Sequence, residues 1–225
     1  MQITTCFLWN LRFGCAMLLY SACFQTASMS AEPPPEPDKA LIRLWIEQLA
    51  NLSPGREHNG DVGQDRLTDK EQMDLELVEQ AYRKLTKHFL ATLPQLVEHI
   101  GDKRYSFPRE HPSSGFYENQ SVGDACQSII DGKLLLRNPM ILNRGDKAVW
   151  RKLPVDKDWL QRVRKMSLFE MQLDSLDWLL RQAPLPQVDN SEWKSKMAEV
   201  RTFRNEFHAK GKPVDEEFGP PIRGK

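Results

Sequence analysis

His111 lies close in sequence to Ser113 and Ser114, so a base stands beside two candidate nucleophiles. A histidine activates a serine hydroxyl only where a third group orients the imidazole and backbone donors face the developing oxyanion. The sequence indicates neither feature, and the run His-Pro-Ser-Ser-Gly is typical of a turn-rich loop. We therefore predict no catalytic residue. The alternative is a small exported hydrolase that uses His111 with Ser113 or Ser114.

Patterns for other catalytic or cofactor sites are missing from the sequence. It has no Gly-rich phosphate loop, no His-Glu-x-x-His, no paired-cysteine zinc pattern and no Gly-x-Ser-x-Gly. His88 and His99 would lie about 16 Å apart on a continuous helix, too far to ligate one metal ion. We predict no metal and no cofactor. The 31 basic and 31 acidic residues give zero net charge, so no overall field favours nucleic acid as a partner.

Aromatic residues around the same loop indicate a recognition surface. Pro108, Pro112 and Gly115 prevent a regular helix in this stretch, and rings with arginines on an irregular segment suit contacts with a partner. The residues that we predict to bind are Arg104, Tyr105, Phe107, Arg109, His111, Phe116 and Tyr117. The alternative is a compact Ω-type loop whose rings fold back over the neighbouring helices. Both descriptions hold if some rings are buried while Arg104 and His111 face outward.

Two short helical patterns flank this loop. The first begins at Pro94, which suits the first turn of a helix, and has an apolar stripe of Leu96, Val97 and Ile100. The second begins at Ser121, which pairs with Asp124 in a near capping box. Its apolar face consists of Val122, Ala125, Cys126, Ile129 and Ile130.

This helix pair resembles a HEAT repeat, which is a pair of antiparallel helices. The resemblance rests on Leu93-Pro94-Gln95-Leu96-Val97, on Asp102 at the corner and on Val122-Gly123-Asp124-Ala125-Cys126. It implies a HEAT-like helical hairpin over residues 93–132 with a long inserted loop. It also implies a binding surface and no catalysis.

The N-terminus has the layout of a secretory signal peptide, which we place at residues 1–31. Arg12 precedes an apolar run from Phe13 to Phe24, and small residues follow up to Ala31. The run is shorter than the ~20 residues that cross a bilayer, so we predict no transmembrane segment in the mature chain. The stretch ending at Cys23 resembles a bacterial lipobox, so a lipid anchor at Cys23 is an alternative. We expect export to the periplasm or the extracellular space.

Proline and cysteine usage continue this description. Residues 32–38 include four prolines and should form a stiff linker. Cys126 is the one cysteine after the leader, so no disulfide can form within the mature chain. Because Cys126 lies on the apolar face of its helix, we predict a small buried hydrophobic residue rather than a nucleophile.

The remaining sequence predicts an all-α fold, an irregular array of amphipathic helices in a single domain over residues 39–210. Asp38 should cap the first helix, and Thr68 should open a capping box with Glu71. The helix after Thr68 should bury one face made of Met73, Leu77, Val78, Ala81, Leu85 and Phe89.

The C-terminal third leaves some alternatives open. Residues 140–153 fit a loop, a short helix or a pair of strands, and residues 158–180 fit one helix or two broken near Ser167. A last amphipathic helix should begin at Asn190 or Ser191 and pack on the domain. Residues 211–225 have no period and should form a disordered tail.

Together these patterns favour an exported, non-enzymatic helical protein that binds another protein or a cell-envelope component through the loop at residues 105–120. Besides the hydrolase, the sequence allows a structural envelope lipoprotein tethered through Cys23.

Overall fold

The computed structural model describes residues 35–52, 68–110, 117–136, 142–144, 147–149, 152–184 and 189–220. The chain divides into two units, Met1–Pro35 and Glu36–Lys225, and every helix and strand given below belongs to the second. The predicted signal peptide and Cys23 lie outside the described residues and stay predictions. In the described part, no helix combines the length and apolar composition needed to cross a bilayer.

The second unit is predominantly α-helical, which confirms the predicted fold class at that level. Its helices are α1 Lys39–Gln48, α2 Asp69–Lys87, α3 Phe89–Glu98, α4 Val122–Leu134, α5 Lys157–Val163, α6 Leu168–Leu180 and α7 Asn190–Lys210. Two short antiparallel pairs accompany them: β1 Tyr105–Glu110 with β2 Tyr117–Ser121, and β3 Leu142–Arg144 with β4 Lys147–Val149.

Side-chain caps set where the helices begin. Asp38 accepts a hydrogen bond from the Leu41 N–H at 2.7 Å, and capping boxes open α2 at Thr68 and α4 at Ser121, as predicted. A further capping box places Ser167 at the start of α6. Since a capping residue takes extended rather than helical backbone angles, Ser167 separates α5 from α6.

The buried face of α2 differs from the predicted one. Met73 and Leu77 are 65% and 47% exposed, whereas Leu75 and Tyr82 face the interior together with Val78, Ala81 and Leu85. The helix carries apolar residues on two neighbouring stripes, and its packing against α1, α4 and β1 selects one of them. Periodicity alone does not say which stripe faces the core.

The break between α2 and α3 also differs from the prediction, which placed a helix start at Pro94. The helix α3 begins at Phe89, and Pro94 lies inside it. The break falls at His88, whose φ and ψ of −105° and 36° are not helical. The Thr92 hydroxyl lies 3.1 Å from both the Leu85 and the Phe89 carbonyl oxygens. It therefore donates to backbone carbonyls on either side of the break.

The predicted irregular loop between α3 and α4 contains a β-hairpin. Strands β1 and β2 pair from Glu110 opposite Tyr117 back to Tyr105 opposite Ser121, with a register shift between Tyr105 and Phe107. The signal was weak because apolar and polar residues alternate only briefly here and Pro108 disfavours a strand. The pair β3 and β4 corresponds to one of the three alternatives left open for residues 140–153.

A single apolar core joins the helices and the hairpin. Cys126 is fully buried in α4, as predicted, and burial raises the pKa of its thiol to about 12. A thiol that does not ionise near neutral pH is a poor nucleophile, so Cys126 serves packing.

The predicted disordered tail is wrong for the residues that the structure describes. Gly211 ends α7 with a φ of 66°, a left-handed angle that favours glycine. Residues 213–220 have no helix or strand, yet Phe218 is only 6% exposed. Burial of the Phe218 side chain contributes roughly 1.5–3 kcal/mol, and hydrogen bonds from Gln172, Lys133 and Thr86 to this segment add to it. Residues 221–225 lie outside the described residues.

Candidate functional site

Of the residues predicted to bind a partner, Arg104 lies in a charged cluster with Glu47, His99 and Asp102, which we call the Arg104 corner. The Arg104 Nε lies 3.1 Å from both Asp102 carboxylate oxygens, and its Nη2 lies 2.6 Å from Asp102 Oδ2. The Arg104 Nη1 donates to Glu47 Oε2 at 2.5 Å, and His99 Nδ1 lies 3.6 Å from Asp102 Oδ2. This arginine therefore ties the end of α1 to the turn after α3.

The ion pairs fix the charges of the Arg104 corner. Hydrogen bonds from Arg104 lower the pKa of Asp102 to about 2 and hold the pKa of Glu47 below its usual value. Bonds to the same two carboxylates raise the pKa of Arg104. The Arg104 side chain is 44% exposed, but its Nε and both Nη atoms already bond carboxylates. The Arg104 charge is therefore already compensated by Asp102 and Glu47.

Backbone contacts make the same corner rigid. The Gly123 N–H donates to the Asp102 carbonyl at 2.9 Å, and the Val122 N–H donates to the Arg104 carbonyl at 2.8 Å. A Cβ at position 123 would lie 2.1 Å from the Ile100 carbonyl oxygen. Only glycine allows the start of α4 to approach the end of α3 this closely.

Among the predicted aromatic contacts, Phe107 belongs to the core. Its side chain is 1% exposed and its ring meets the Tyr82 ring edge-on at 6.3 Å, so the prediction that it contacts a partner is wrong. Tyr105 is half-buried, and burial raises the pKa of its hydroxyl to about 12. The alternative in which rings fold back over the helices describes Phe107 correctly.

The remaining predicted residues divide into two groups. Arg109 and Tyr117 lie on paired strands, opposite Glu118 and Glu110 respectively. The others lie outside the described residues: His111, Phe116, Ser113 and Ser114. The hydrolase alternative therefore stays a prediction.

An open groove between α3, α5 and α6 is a second candidate surface, which we call the α3–α5–α6 groove. Its volume is about 540 Å³, within the range of ligand pockets. The apolar lining residues are Leu90, Leu93, Pro94, Leu160, Val163, Met166 and Met171. Leu90 is 54% exposed, so a large apolar side chain faces solvent here.

Polar groups of the groove all lie on or directly after α5. Lys157 and Arg164 are two turns apart with Gln161 between them, and neither cation forms an ion pair with another described residue. The described lining contains no Ser, Cys, His, Asp or Glu, so it offers no hydroxyl of serine, thiol, imidazole or carboxylate for catalysis. The groove is suited to holding an apolar ligand that carries negative charge.

Sequence reasoning missed this groove because its walls come from helices far apart in the chain. Leu90 belongs to no recognisable sequence motif, and Lys157 and Arg164 are indistinguishable in sequence from ordinary surface charges. In the described part, no cluster of three or more His, Cys, Asp or Glu side chains is placed to hold a metal ion. Comparisons with family models, curated proteins and solved structures find no match to this chain.

Proposed function

We propose that this chain is an exported, non-enzymatic helical binding protein, and that its contact surface is the α3–α5–α6 groove. The occupant is an apolar segment with acidic side chains, presented by a protein of the cell envelope. One observation carries the proposal: an open apolar groove holds Leu90 at 54% exposure beside the cations of Lys157 and Arg164. Exposed apolar patches with polar rims mark interaction sites.

The neighbouring helix pair supports a scaffold role. Helices α3 and α4 pack on each other, and in sequence they flank β1 and β2. We propose that these two helices form the HEAT-like pair. One face of α3 lines the groove through Leu90, Leu93 and Pro94, while Leu96 lies in the core. A packed helix that offers a second face to solvent suits a binding scaffold.

Dye binding tests the groove directly. Anilinonaphthalene sulfonate is an apolar anion, so it should bind and fluoresce in the groove of the intact chain. Leu90→Asp should abolish most of that signal, because it adds negative charge and removes apolar surface. The matched control is Leu77→Asp on α2, where the leucine is 47% exposed; it should leave the signal unchanged. Equal loss in both variants would contradict the proposal.

Capture from the native cell envelope tests the physiological role. The intact chain should retain a partner that Leu90→Asp loses and Leu77→Asp keeps. Lys157→Glu with Arg164→Glu should weaken the same capture, and more so at low salt, since exposed charges act over about 10 Å at 0.1 M salt. N-terminal sequencing should begin between residues 28 and 32, or show a blocked, lipidated Cys23. Retention of Met1 would contradict export.

A further inference from the structure

The C-terminal segment, residues 213–220, is held by α2, α4 and α6 rather than by its own secondary structure. It leaves α7 through Gly211, whose φ is 66°, and then runs without a helix or strand. Side chains at positions 212 to 217 are exposed, and the one buried side chain is that of Phe218. The segment therefore resembles a bound peptide that is covalently attached.

Gln172 on α6 recognises the main chain of this segment. Its Nε2 donates to the Val214 carbonyl at 2.6 Å, and its Oε1 accepts from the Val214 N–H at 3.2 Å. The same Nε2 also donates to the Lys133 carbonyl at 2.9 Å, and Gln172 is fully buried. The two bonds to Val214 are those that a neighbouring β-strand would make, so they fit any residue with an extended main chain.

Lys133 on α4 selects negative charge. Its side chain is 1% exposed, and its Nζ lies 2.6 Å from Asp215 Oδ1 and 2.6 Å from the Glu216 carbonyl oxygen. A buried ammonium ion without an anionic partner is costly. The surface under the C-terminal segment therefore favours a peptide with a carboxylate beside Lys133.

A socket for an aromatic ring lies three residues further along the segment. Phe218 packs edge-on against Tyr82 at 6.0 Å, and the Thr86 hydroxyl lies 3.0 Å from the Phe218 carbonyl oxygen. Gly132 makes the room, because a Cβ there would lie 2.5 Å from Phe218 Cζ. The shape of α4 at this point is thus complementary to a ring.

We propose that this surface, the tail groove, is a docking site for an extended peptide of a partner protein, with a carboxylate three residues before an aromatic residue. The C-terminal segment occupies the groove as an internal competitor. Main-chain, charge and ring recognition all come from the body of the domain, so any peptide with the same spacing meets the same contacts. This site is separate from the α3–α5–α6 groove, so either proposal can fail alone.

Fluorescence anisotropy with a labelled peptide that copies residues 211–220 tests the proposal. The attached segment competes at an effective concentration in the millimolar range, so the intact chain should bind the peptide weakly. The full chain with Phe218→Ala loses its own anchor and should bind the peptide roughly tenfold tighter or more. Equal affinity for the two chains would overturn the proposal.

Two matched variants identify the contacts. Adding Gly132→Ala to Phe218→Ala should leave the helix intact, because alanine is the better helix former, yet it should abolish peptide binding by filling the socket. A peptide with Asp215→Ala should bind more weakly to chains that keep Lys133, but should not be discriminated by chains with Lys133→Met. Binding that ignores both changes would place the peptide elsewhere and overturn the proposal.

Hydrogen exchange on the intact chain keeps the test decisive if Phe218→Ala fails to fold. Excess free peptide should displace the attached segment and speed exchange of the Val214 amide, which Gln172 otherwise protects. Unchanged exchange at saturating peptide would overturn the proposal. Light scattering tests whether the occupant is a second copy of this chain. A dimer that forms with rising concentration and is lost with Phe218→Ala would assign the tail groove to a second copy, and would overturn the proposal that a partner protein binds there.

Discussion

The Arg104 corner and the C-terminal segment are both rich in charge and poor in helix, yet they are held in place in different ways. The sequence predicts a binding role for Arg104 and disorder for the tail. In the structure Arg104 is bonded to Asp102 and Glu47, while the tail carries the buried anchor Phe218. The charge and composition of a loop thus do not indicate whether its residues contact a partner or bond within the fold.

The difference lies in where the bonding partners come from. Arg104 has one partner close in sequence, Asp102 two residues away, and one distant partner, Glu47, 57 residues away. The tail is bonded by Lys133 and Gln172, which are 82 and 42 residues from their partners. A segment held by distant residues looks disordered in sequence, because nothing near it shows what it packs against.

The largest effect should come from the corner backbone. Gly123→Ala places a Cβ 2.1 Å from the Ile100 carbonyl oxygen, where main chain cannot move aside. We expect a loss of about 3 kcal/mol or more in the free energy of unfolding. The control is Gly101→Ala, which has nothing within 4 Å of its Cβ and should stay within about 0.5 kcal/mol. Urea unfolding measures both, and equal stabilities would break the comparison.

The second prediction concerns the asymmetry of the tail ion pair. Asp215→Ala should cost about 2 kcal/mol, because it leaves the buried Lys133 ammonium with fewer acceptors. Lys133→Met should change stability by no more than about 1 kcal/mol, since it removes the buried charge and the half-exposed Asp215 returns to water. Denaturant unfolding of the two variants decides the order, and a larger loss in Lys133→Met would contradict it.

The third prediction concerns the pH dependence of stability, where two carboxylates act with opposite signs. Burial raises the pKa of Asp131 to about 6, above its unfolded value. The folded protein therefore loses stability from this group as pH rises from about 4 to 6, because the buried side chain must then ionise. The pKa of Asp102 is lowered to about 2, so its contribution is lost as pH falls below about 4.

Unfolding midpoints between pH 2 and 7 separate the two carboxylates. Asp131→Asn should flatten the decline above about pH 4, and Asp102→Asn should flatten the loss on the acid side. The acid-side slope of Asp131→Asn serves as its internal control and should match that of the unchanged chain. An unchanged slope above pH 4 would show that Asp131 is not responsible.

The smallest effect should come from Arg104 itself. Its ion pairs are partly exposed, at 44% for Arg104 and 57% for Glu47, and exposed pairs contribute little. Arg104→Gln should therefore cost about 0.5–1 kcal/mol, and the exposed neighbour Lys103→Gln should cost nothing measurable. A loss above about 2 kcal/mol in thermal or urea unfolding would give the corner the same importance as the tail.

Local signals predicted the helices well. Asp38, Thr68 and Ser121 cap their helices because the bonding atoms lie within three residues, and such patterns are visible in sequence. Burial of Cys126 followed from its place on an apolar stripe. The mainly helical fold could therefore be predicted from short-range chemistry.

The faces and sites could not be predicted, since they depend on long-range packing. Met73 and Leu77 fit a helical stripe as well as Leu75 and Tyr82 do, and only the neighbours of α2 decide between them. Phe107 looked like a loop aromatic because its strand partner is thirteen residues further on. The α3–α5–α6 groove and the tail groove each combine three helices, so neither forms a sequence motif.

Gly132 and Phe218 also govern the order in which this chain can mutate. While the ring is present, a Cβ at position 132 would lie 2.5 Å from Phe218 Cζ, so a larger residue there requires the ring to shift. Once the ring is lost, alanine at position 132 becomes favourable by about 1 kcal/mol in helix propensity. The pair then acts as a ratchet. Regaining a phenylalanine at position 218 is then disfavoured until glycine returns at position 132.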